Sequence, residues 1–210
     1  MRFVTKWKNI FVDYIKNNFK EYTLTSLLFL IGIFIGVMII NNCEDTVLEE
    51  ISSYILDFID NFKKEENLDK TTLIISSLKN NLLLAFTLWF AGTTIIGIPI
   101  VLIMILFRGL VLGYTISIIT YTLGTAKGIG FCLASITCQN ILFIPAILTL
   151  GVSSIKLYKS IVKDKHRENI KLAILRHTII SIIMILILIL STIIENTVSL
   201  EILKKIIQYF

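Results

Sequence analysis

The chain has 210 residues, of which 55% are hydrophobic, and it carries a formal net charge of +5. Its mean hydropathy of +0.83 leaves little for a soluble domain, so we expect residues 1–210 to form a single membrane domain. The positive charge gathers in segments that flank apolar runs, where membrane topology explains it without a nucleic-acid partner. We therefore predict a membrane protein that binds no nucleic acid.

Five apolar runs fill most of the chain. A bilayer core about 30 Å thick needs roughly 20 apolar residues of helix to cross it. The runs lack period-2 alternation, and only helices or closed barrels satisfy the backbone in lipid, so we predict helices. The fold class is therefore an all-α polytopic integral membrane protein with about five transmembrane helices. The predicted spans are residues 24–40, 82–106, 109–123, 129–151 and 178–194.

The basic residues between the spans predict an orientation. Lys and Arg in alternate segments number 13 on one side and 7 on the other. The positive-inside rule then makes the N-terminus and the basic loop 154–177 cytoplasmic, and the loop 41–81 and the C-terminus extracytoplasmic. Because Arg108 is costly in mid-membrane, we predict a tight cytoplasmic turn there. The alternative is a tilted or re-entrant segment, since residues 109–123 form only about 22 Å of helix.

The segment before the first span has an amphipathic pattern. In residues 1–23, aromatic and aliphatic residues recur at helical spacing with lysines between them. This pattern predicts an N-terminal amphipathic helix on the inner leaflet. It would serve as an interfacial anchor, in contact with membrane lipid, or as a docking site for a cytoplasmic partner.

The extracytoplasmic loop 41–81 also has an amphipathic pattern, which predicts a helix with an apolar stripe and an acidic face. An acidic helix gains little from anionic lipid, so the stripe should pack on the protein's own spans or on another protein. Both alternatives remain open at this point. The candidate partner-binding residues are Ile51, Tyr54, Ile55, Asp57, Phe58 and Phe62.

Glycine spacing predicts where helices approach closely. Gly32 and Gly36 stand four residues apart, as do Gly109 and Gly113, and this small-xxx-small spacing lets helix backbones meet in lipid. The same spacing serves packing within a chain and packing in a homodimer, so both are candidates. A third pair, Gly124 and Gly128, is predicted to lie in a loop.

No catalytic, cofactor or metal motif is present in the sequence. The cysteines Cys43, Cys132 and Cys138 form no CxxC, and no HExxH, nucleophile elbow or phosphate-binding glycine loop occurs. We therefore expect no catalytic residue, no cofactor and no metal site. Some polar or helix-breaking residues nevertheless fall inside the apolar runs, as structural contacts or as the lining of a cavity between spans two and four. They are Thr93, Thr94, Pro99, Arg108, Gln139, Asn140 and Pro145.

Three segments in order carry a family resemblance. Residues 92–100 (GTTIIGIPI), 107–114 (FRGLVLGY) and 139–146 (QNILFIPA) resemble the successive signatures of the stage II sporulation protein M family. The length, the five spans and the helical loop after the first span also agree with that family. The resemblance covers nearly the whole chain.

The resemblance implies a role in endospore formation. The expected function is a non-enzymatic membrane scaffold for engulfment, which localises the peptidoglycan hydrolases known as stage II sporulation proteins D and P. The expected location is the mother-cell or septal membrane, with the N-terminus cytoplasmic and the C-terminus extracytoplasmic. The alternative is a membrane transporter or permease subunit with a polar path between spans two and four.

Overall fold

A computed structural model describes residues 13–64, 70–94, 96–162, 170–199 and 201–203. Across these ranges the chain is almost entirely helical and contains no strand, which confirms the all-α prediction. The helices are α1 Phe19–Asn41, α2 Asp45–Lys64, α3 Lys70–Thr93, α4 Gly97–Leu123, α5 Thr125–Cys132, α6 Cys138–Val162 and α7 Ile170–Ile194. Residues 13–17 are also helical and lead into α1.

Five of these helices are long and apolar enough to cross a membrane, as predicted. They are α1, α3, α4, α6 and α7, the last of them continuing beyond Ile194. The spans run in alternating directions, so α1, α4 and α7 are parallel to one another and antiparallel to α3 and α6. We call the end where α1 and α4 begin the proximal end, and the end where they finish, beside α2, the distal end.

The predicted turn at Arg108 is wrong, because α4 runs as one helix through that residue. The chain instead reverses direction between the end of α3 at Thr93 and the start of α4 at Gly97. Pro99 lies in the first turn of α4, where its missing N–H has no intrahelical partner to lose. The second and third spans are therefore α3 and α4, and the boundaries predicted at residues 106 and 109 are incorrect.

The fourth span also differs from its prediction. Only Gly124, with φ of 79°, separates α4 from α5, and the helix then continues through a π-helical segment, Leu133–Thr137, into α6. The candidate span within this long helix is Gln139–Val162, rather than residues 129–151. A second π-helical segment, Glu195–Ser199, follows α7 and contacts the first. Both π segments lie at the distal end.

Helix α6 occupies the centre of the bundle and packs on α1, α3, α4 and α7. Its residues Ala146 and Leu150 meet Val101 and Ile105 of α4 in one apolar core. Leu88 of α3 and Leu188 of α7 complete that core. Pro145 lies inside α6, and the hydroxyl of Thr149 one turn later donates a hydrogen bond to its carbonyl oxygen.

Parts of four predicted segments lie outside the described residues. These are residues 1–12 of the N-terminal amphipathic segment, 65–69 of the loop 41–81, 163–169 of the basic loop and 204–210 of the C-terminal tail. The remainder of the basic loop belongs to the ends of α6 and α7, because α6 extends to Val162 and α7 begins at Ile170.

Candidate functional site

The two predicted glycine pairs meet each other where α1 and α4 cross. A Cβ added at Gly32 would overlap the carbonyl oxygen of Leu106, and one added at Gly109 would overlap that of Phe29. Gly36 and Gly113 repeat this arrangement one turn further along. The two helices therefore touch backbone to backbone over two turns. Because this contact lies within one chain, these glycines offer no free surface to a second copy.

Gly128 departs from its predicted place in a loop. It lies in α5, and a Cβ there would be 2.6 Å from the Cα atom of Thr120. This glycine lets α5 fold back closely on the end of α4. Gly124 does lie in the connection, as predicted.

Arg108, next to Gly109 in α4, lies beside a cavity of about 180 Å³ between α4, α6 and Phe29 of α1. The guanidinium carbon lies 5.0 Å from the centre of the Phe143 ring on α6, a cation–π distance. The other polar residues of the cavity are Thr115, Gln139 and Asn140. The structure thus brings three of the predicted intramembrane polar residues, Arg108, Gln139 and Asn140, to one place.

An acidic residue that the sequence analysis did not single out completes this cluster. Gln139 donates a hydrogen bond of 2.7 Å to the carboxylate of Glu195, in the π segment after α7. Ser191, one turn earlier, donates to the backbone carbonyl of Gln139 at 2.9 Å. Glu195 is near enough to Arg108 to interact with it electrostatically. The cluster therefore joins α4, α6 and α7.

Thr93 and Thr94 do not belong to this cluster. Both lie at the proximal end of α3, where their hydroxyls donate to backbone carbonyls of the preceding turn. The adjacent Gly92 packs on Ser154, which is 15 residues beyond Gln139 in α6. At 1.5 Å per residue, that separation is about 22 Å. The predicted polar set is therefore divided between the two ends of the bundle.

A second polar group lies at the proximal end. His177 accepts or donates a hydrogen bond of 2.9 Å with Ser153 at Nδ1, while its Nε2 faces the carbonyl oxygen of Trp89 at 3.4 Å. Because a carbonyl only accepts, Nε2 carries the proton and Ser153 donates to Nδ1. Ser153 is only 3% exposed and lies in the middle of a helix. This pair therefore joins α3, α6 and α7 rather than presenting a nucleophile.

Tyr14 lies beside the Ser153–His177 pair at the proximal end. Burial, and next the neighbouring Tyr22, raise the pKa of the Tyr14 phenol to about 12, so it remains neutral at physiological pH. The ammonium of Lys156 lies 5.2 Å from the centre of its ring. Close by, Lys159 of α6 forms an ion pair with Glu21 of α1. These contacts fasten the start of α1 to the end of α6.

The apolar stripe predicted for α2 packs on the protein's own bundle. Leu48, Ile59 and Phe62 are buried, and Ile51 and Ile55 pack partly against the distal ends of α4 and α5. Ser52 and Thr122 share a hydrogen bond of 2.9 Å across the same contact. Phe62 is therefore covered by the protein's own bundle and Ile51 and Ile55 are partly covered, so this part of the predicted partner surface is turned toward α4 and α5.

The remaining candidate residues stay exposed along one edge of α2. Tyr54 is 66% exposed and Phe58 is 55% exposed, and Asp57 lies beside them. We call these three residues the α2 edge. On the other side of the buried stripe, Leu56 is 47% exposed. The α2 edge thus presents two aromatic rings next to a carboxylate, on a helix whose buried stripe packs on the bundle.

A larger open groove of about 570 Å³ lies beside the start of α2, between the ends of α1 and α4. Its lining includes Cys43, which carries a free, partly exposed thiol, together with Asp45 and Tyr121. Cys132, by contrast, is buried. In the part of the chain that the structure describes, no three His, Cys, Asp or Glu side chains are placed to hold a metal ion.

Sequence reasoning missed Glu195 and Phe143 for different reasons. Glu195 directly follows the last apolar run, which made it look like the first residue of a polar tail. Phe143 is one of many aromatics in apolar runs, and its ring contact with Arg108 depends on how α4 and α6 pack. A search for polar residues at helical spacing just beyond the apolar runs would have found Glu195 but not Phe143.

The arrangement defines a polytopic all-α membrane protein with a polar cluster between α4, α6 and the end of α7 and an amphipathic helix docked at one end. The family model described as stage II sporulation protein M matches residues 25–200, and the chain belongs to that family. It is accordingly a membrane protein of sporulation. Comparisons with curated proteins and with solved structures found no match.

Proposed function

We propose that this protein is a non-enzymatic membrane scaffold of engulfment that localises the peptidoglycan hydrolases, stage II sporulation proteins D and P, at the septal or mother-cell membrane. The partners are those that the family resemblance implies. The observation that carries the proposal is the α2 edge, in which Tyr54, Asp57 and Phe58 lie exposed on a helix fixed to the bundle.

The distribution of basic residues supports an extracytoplasmic position for α2. With Arg108 inside α4, the segments at the proximal end carry five and seven Lys and Arg, which makes 12. The segments at the distal end carry four, one and two, which makes 7. The positive-inside rule then places the proximal end in the cytoplasm and α2 on the side of the cell wall. The N-terminus would be cytoplasmic and the C-terminus extracytoplasmic.

The composition of the α2 edge favours a protein partner over lipid. Aromatic residues are enriched at the centres of protein interfaces, where they add contact area with little loss of conformational freedom. Asp57 and Glu50 border the two rings on this edge. Carboxylates are repelled by anionic headgroups, so this edge is poorly suited to lie on a membrane surface. A partner with a basic and apolar surface would complement it.

Co-purification from sporulating cells tests this proposal. The tagged wild-type protein is compared with a variant that carries Tyr54→Ala and Phe58→Ala. Because both side chains are exposed, the variant should fold and reach the membrane at wild-type levels. We expect recovery of the hydrolases to fall by about tenfold or more, which is typical when two aromatic residues are removed from the centre of an interface.

Leu56→Ala is the matched control, since Leu56 is exposed on the same helix but on the other side of the buried stripe. It should leave recovery unchanged. Equal recovery with the double variant would contradict the α2 edge as the contact and move it to the spans or the tail. Recovery of no hydrolase with any of the three proteins would contradict the scaffold itself.

The transport hypothesis has less support. It needs a polar path between Thr93 and Gln139, whereas the apolar core that contains Leu88, Ile105 and Leu150 lies between these two ends. The cavity beside Arg108 is confined to the distal side of that core. Substrate-dependent flux into vesicles that contain the purified protein would favour transport instead.

A further inference from the structure

We propose that the cavity beside Arg108 binds an acidic group, a phosphate or a carboxylate, within the membrane. Arg108 is 11 residues from the start of α4 and 15 from its end. At 1.5 Å per residue, these distances are about 16 Å and 22 Å along the helix, so the guanidinium originates near the middle of the span. The proposal does not depend on the scaffold function or on the α2 edge.

The guanidinium lacks acceptors for its hydrogen-bond donors. Within the described ranges, no hydrogen bond or ion pair joins Arg108 to the rest of the chain, and its specific contact is with the face of the Phe143 ring. An arginine has five N–H donors, and a charged group in a low-dielectric medium is stable only when it is paired and hydrogen-bonded. Arg108 therefore faces the cavity with its donors unused.

Glu195 does not supply the missing acceptor directly. Its carboxylate is engaged by the amide of Gln139 at 2.7 Å and interacts with Arg108 only through space. Gln139 thus occupies one of the two oxygens of this carboxylate. This arrangement holds the protein's own carboxylate beside the cavity and leaves the cavity itself open to another acidic group.

The other polar groups of the cavity also favour an acceptor as the ligand. The Thr115 hydroxyl donates to the carbonyl of Val111, and one hydrogen of the Asn140 amide goes to the carbonyl of Ile136. Asn140 keeps a second amide hydrogen, which adds to the five donors of Arg108. A planar guanidinium matches a phosphate or a carboxylate with two parallel hydrogen bonds.

The size and the walls of the cavity suit an acidic group with or without an acyl chain. A volume of about 180 Å³ is far larger than the 10–15 Å³ or so that one water needs, and it accommodates a phosphate. Around the polar residues, the lining is apolar, with Leu112, Ile144 and Ile147 among it. Both a free anion and a lipid headgroup satisfy this chemistry, so the experiment must distinguish them.

Protection of an engineered thiol tests the proposal at the cavity itself. Thr115→Cys places a reporter in the lining, and its labelling by neutral N-ethylmaleimide is followed by mass spectrometry of the peptide. The protein is purified in the uncharged, phosphate-free detergent dodecyl maltoside and labelled alone, with inorganic phosphate, or with phosphatidylglycerol. We expect labelling at residue 115 to slow several-fold with at least one of the two anions. Slowing by phosphate indicates a free anion, and slowing by phosphatidylglycerol indicates a lipid headgroup.

The same reporter is then measured with Arg108→Gln and, as a matched control, with Lys79→Gln, which removes a positive charge from an exposed position on α3. Protection should disappear with Arg108→Gln and persist with Lys79→Gln. Unchanged labelling with both anions would overturn the proposal, as would equal protection in the Arg108→Gln protein.

Arg108→Lys keeps the test decisive if Arg108→Gln does not fold. Lysine preserves the charge but loses the planar pair of donors, so we expect weaker protection than with arginine. Protection equal to that of the wild-type residue would show that the planar pair of arginine donors does not bind the anion, and the paired contact proposed here would fail.

Discussion

The two sides of α4 pack in opposite ways. Toward α1, the glycines at positions 109 and 113 let the two backbones touch, and no side chain intervenes. Toward α6, Arg108 stands beside a cavity of about 180 Å³. In lipid, apolar side chains gain little from meeting each other, so close approach of small residues provides much of the attraction between helices. The α1 side has that close approach, whereas the α6 side combines an apolar core around Ile105 with the cation–π contact of Arg108.

Placing a methyl group in the α1 contact should have the largest effect. Gly109→Ala would place its Cβ against the carbonyl oxygen of Phe29, and neither backbone can move without separating the helices. We expect a loss of roughly 3 kcal/mol in the free energy of unfolding, at the upper end of the usual penalty for overpacking. Thermal unfolding of the purified protein in detergent measures it.

Gly130→Ala is the control for this prediction, because a Cβ at Gly130 would meet nothing within 4 Å. It should be neutral or stabilising by about 0.5 kcal/mol, since alanine favours the helix. Equal effects of the two substitutions would mean that helix propensity, and not the contact with α1, determines the result.

Removing the polar link between α6 and the end of α7, beside the cavity, should have a smaller effect. Gln139→Leu leaves the Glu195 carboxylate without its amide donor. A double-mutant cycle with Glu195→Leu should give a coupling energy of about 1.5 kcal/mol, because one partner is ionisable and the surroundings are apolar. A coupling near zero would indicate that water replaces the amide, and the cluster would then contribute little to the packing of α6 on α7.

The contact of α2 with the distal end of α4 should show the smallest coupling. Ser52 and Thr122 share one hydrogen bond of 2.9 Å between neutral hydroxyls, beside a much larger apolar contact. A cycle of Ser52→Ala and Thr122→Val should give about 0.5 kcal/mol. Hydrogen exchange of the α2 amides is the appropriate measurement, and a coupling as large as that of Gln139 and Glu195 would contradict this order.

The sequence predicted the number of spans and the helix after the first span correctly, because long apolar runs and amphipathic periods report burial directly. It failed at the α3–α4 turn for a physical reason. A count of apolar residues treats Arg108 as a break, whereas in the structure the ring of Phe143 and the nearby Glu195 lower the cost of keeping it in the membrane. Phe143 and Glu195 are far from Arg108 in the sequence, so the sequence around Arg108 does not indicate these contacts.

The sequence likewise predicted some features of the candidate sites and missed others. Helical periodicity identified the amphipathic stripe of α2 but could not tell which edge faces the bundle, because that depends on where α4 and α5 end. Tyr54 and Phe62 belong to the same sequence pattern, yet one is 66% exposed and the other 6%. Gln139 and Asn140 were recognisable as polar residues in an apolar run, whereas their neighbours in space were not.

The position of Arg108 also affects how the protein is made. Synthesis delivers α4 to the bilayer before α6 and α7, so its guanidinium enters without either Phe143 or Glu195. Translocon-based scales put the insertion penalty of a central arginine at about 3 kcal/mol, which the apolar residues of α4 must outweigh on their own. The α1 contact can form as soon as α4 enters, because both of its helices are then present. The full set of contacts around Arg108 can form only after α7 has been inserted.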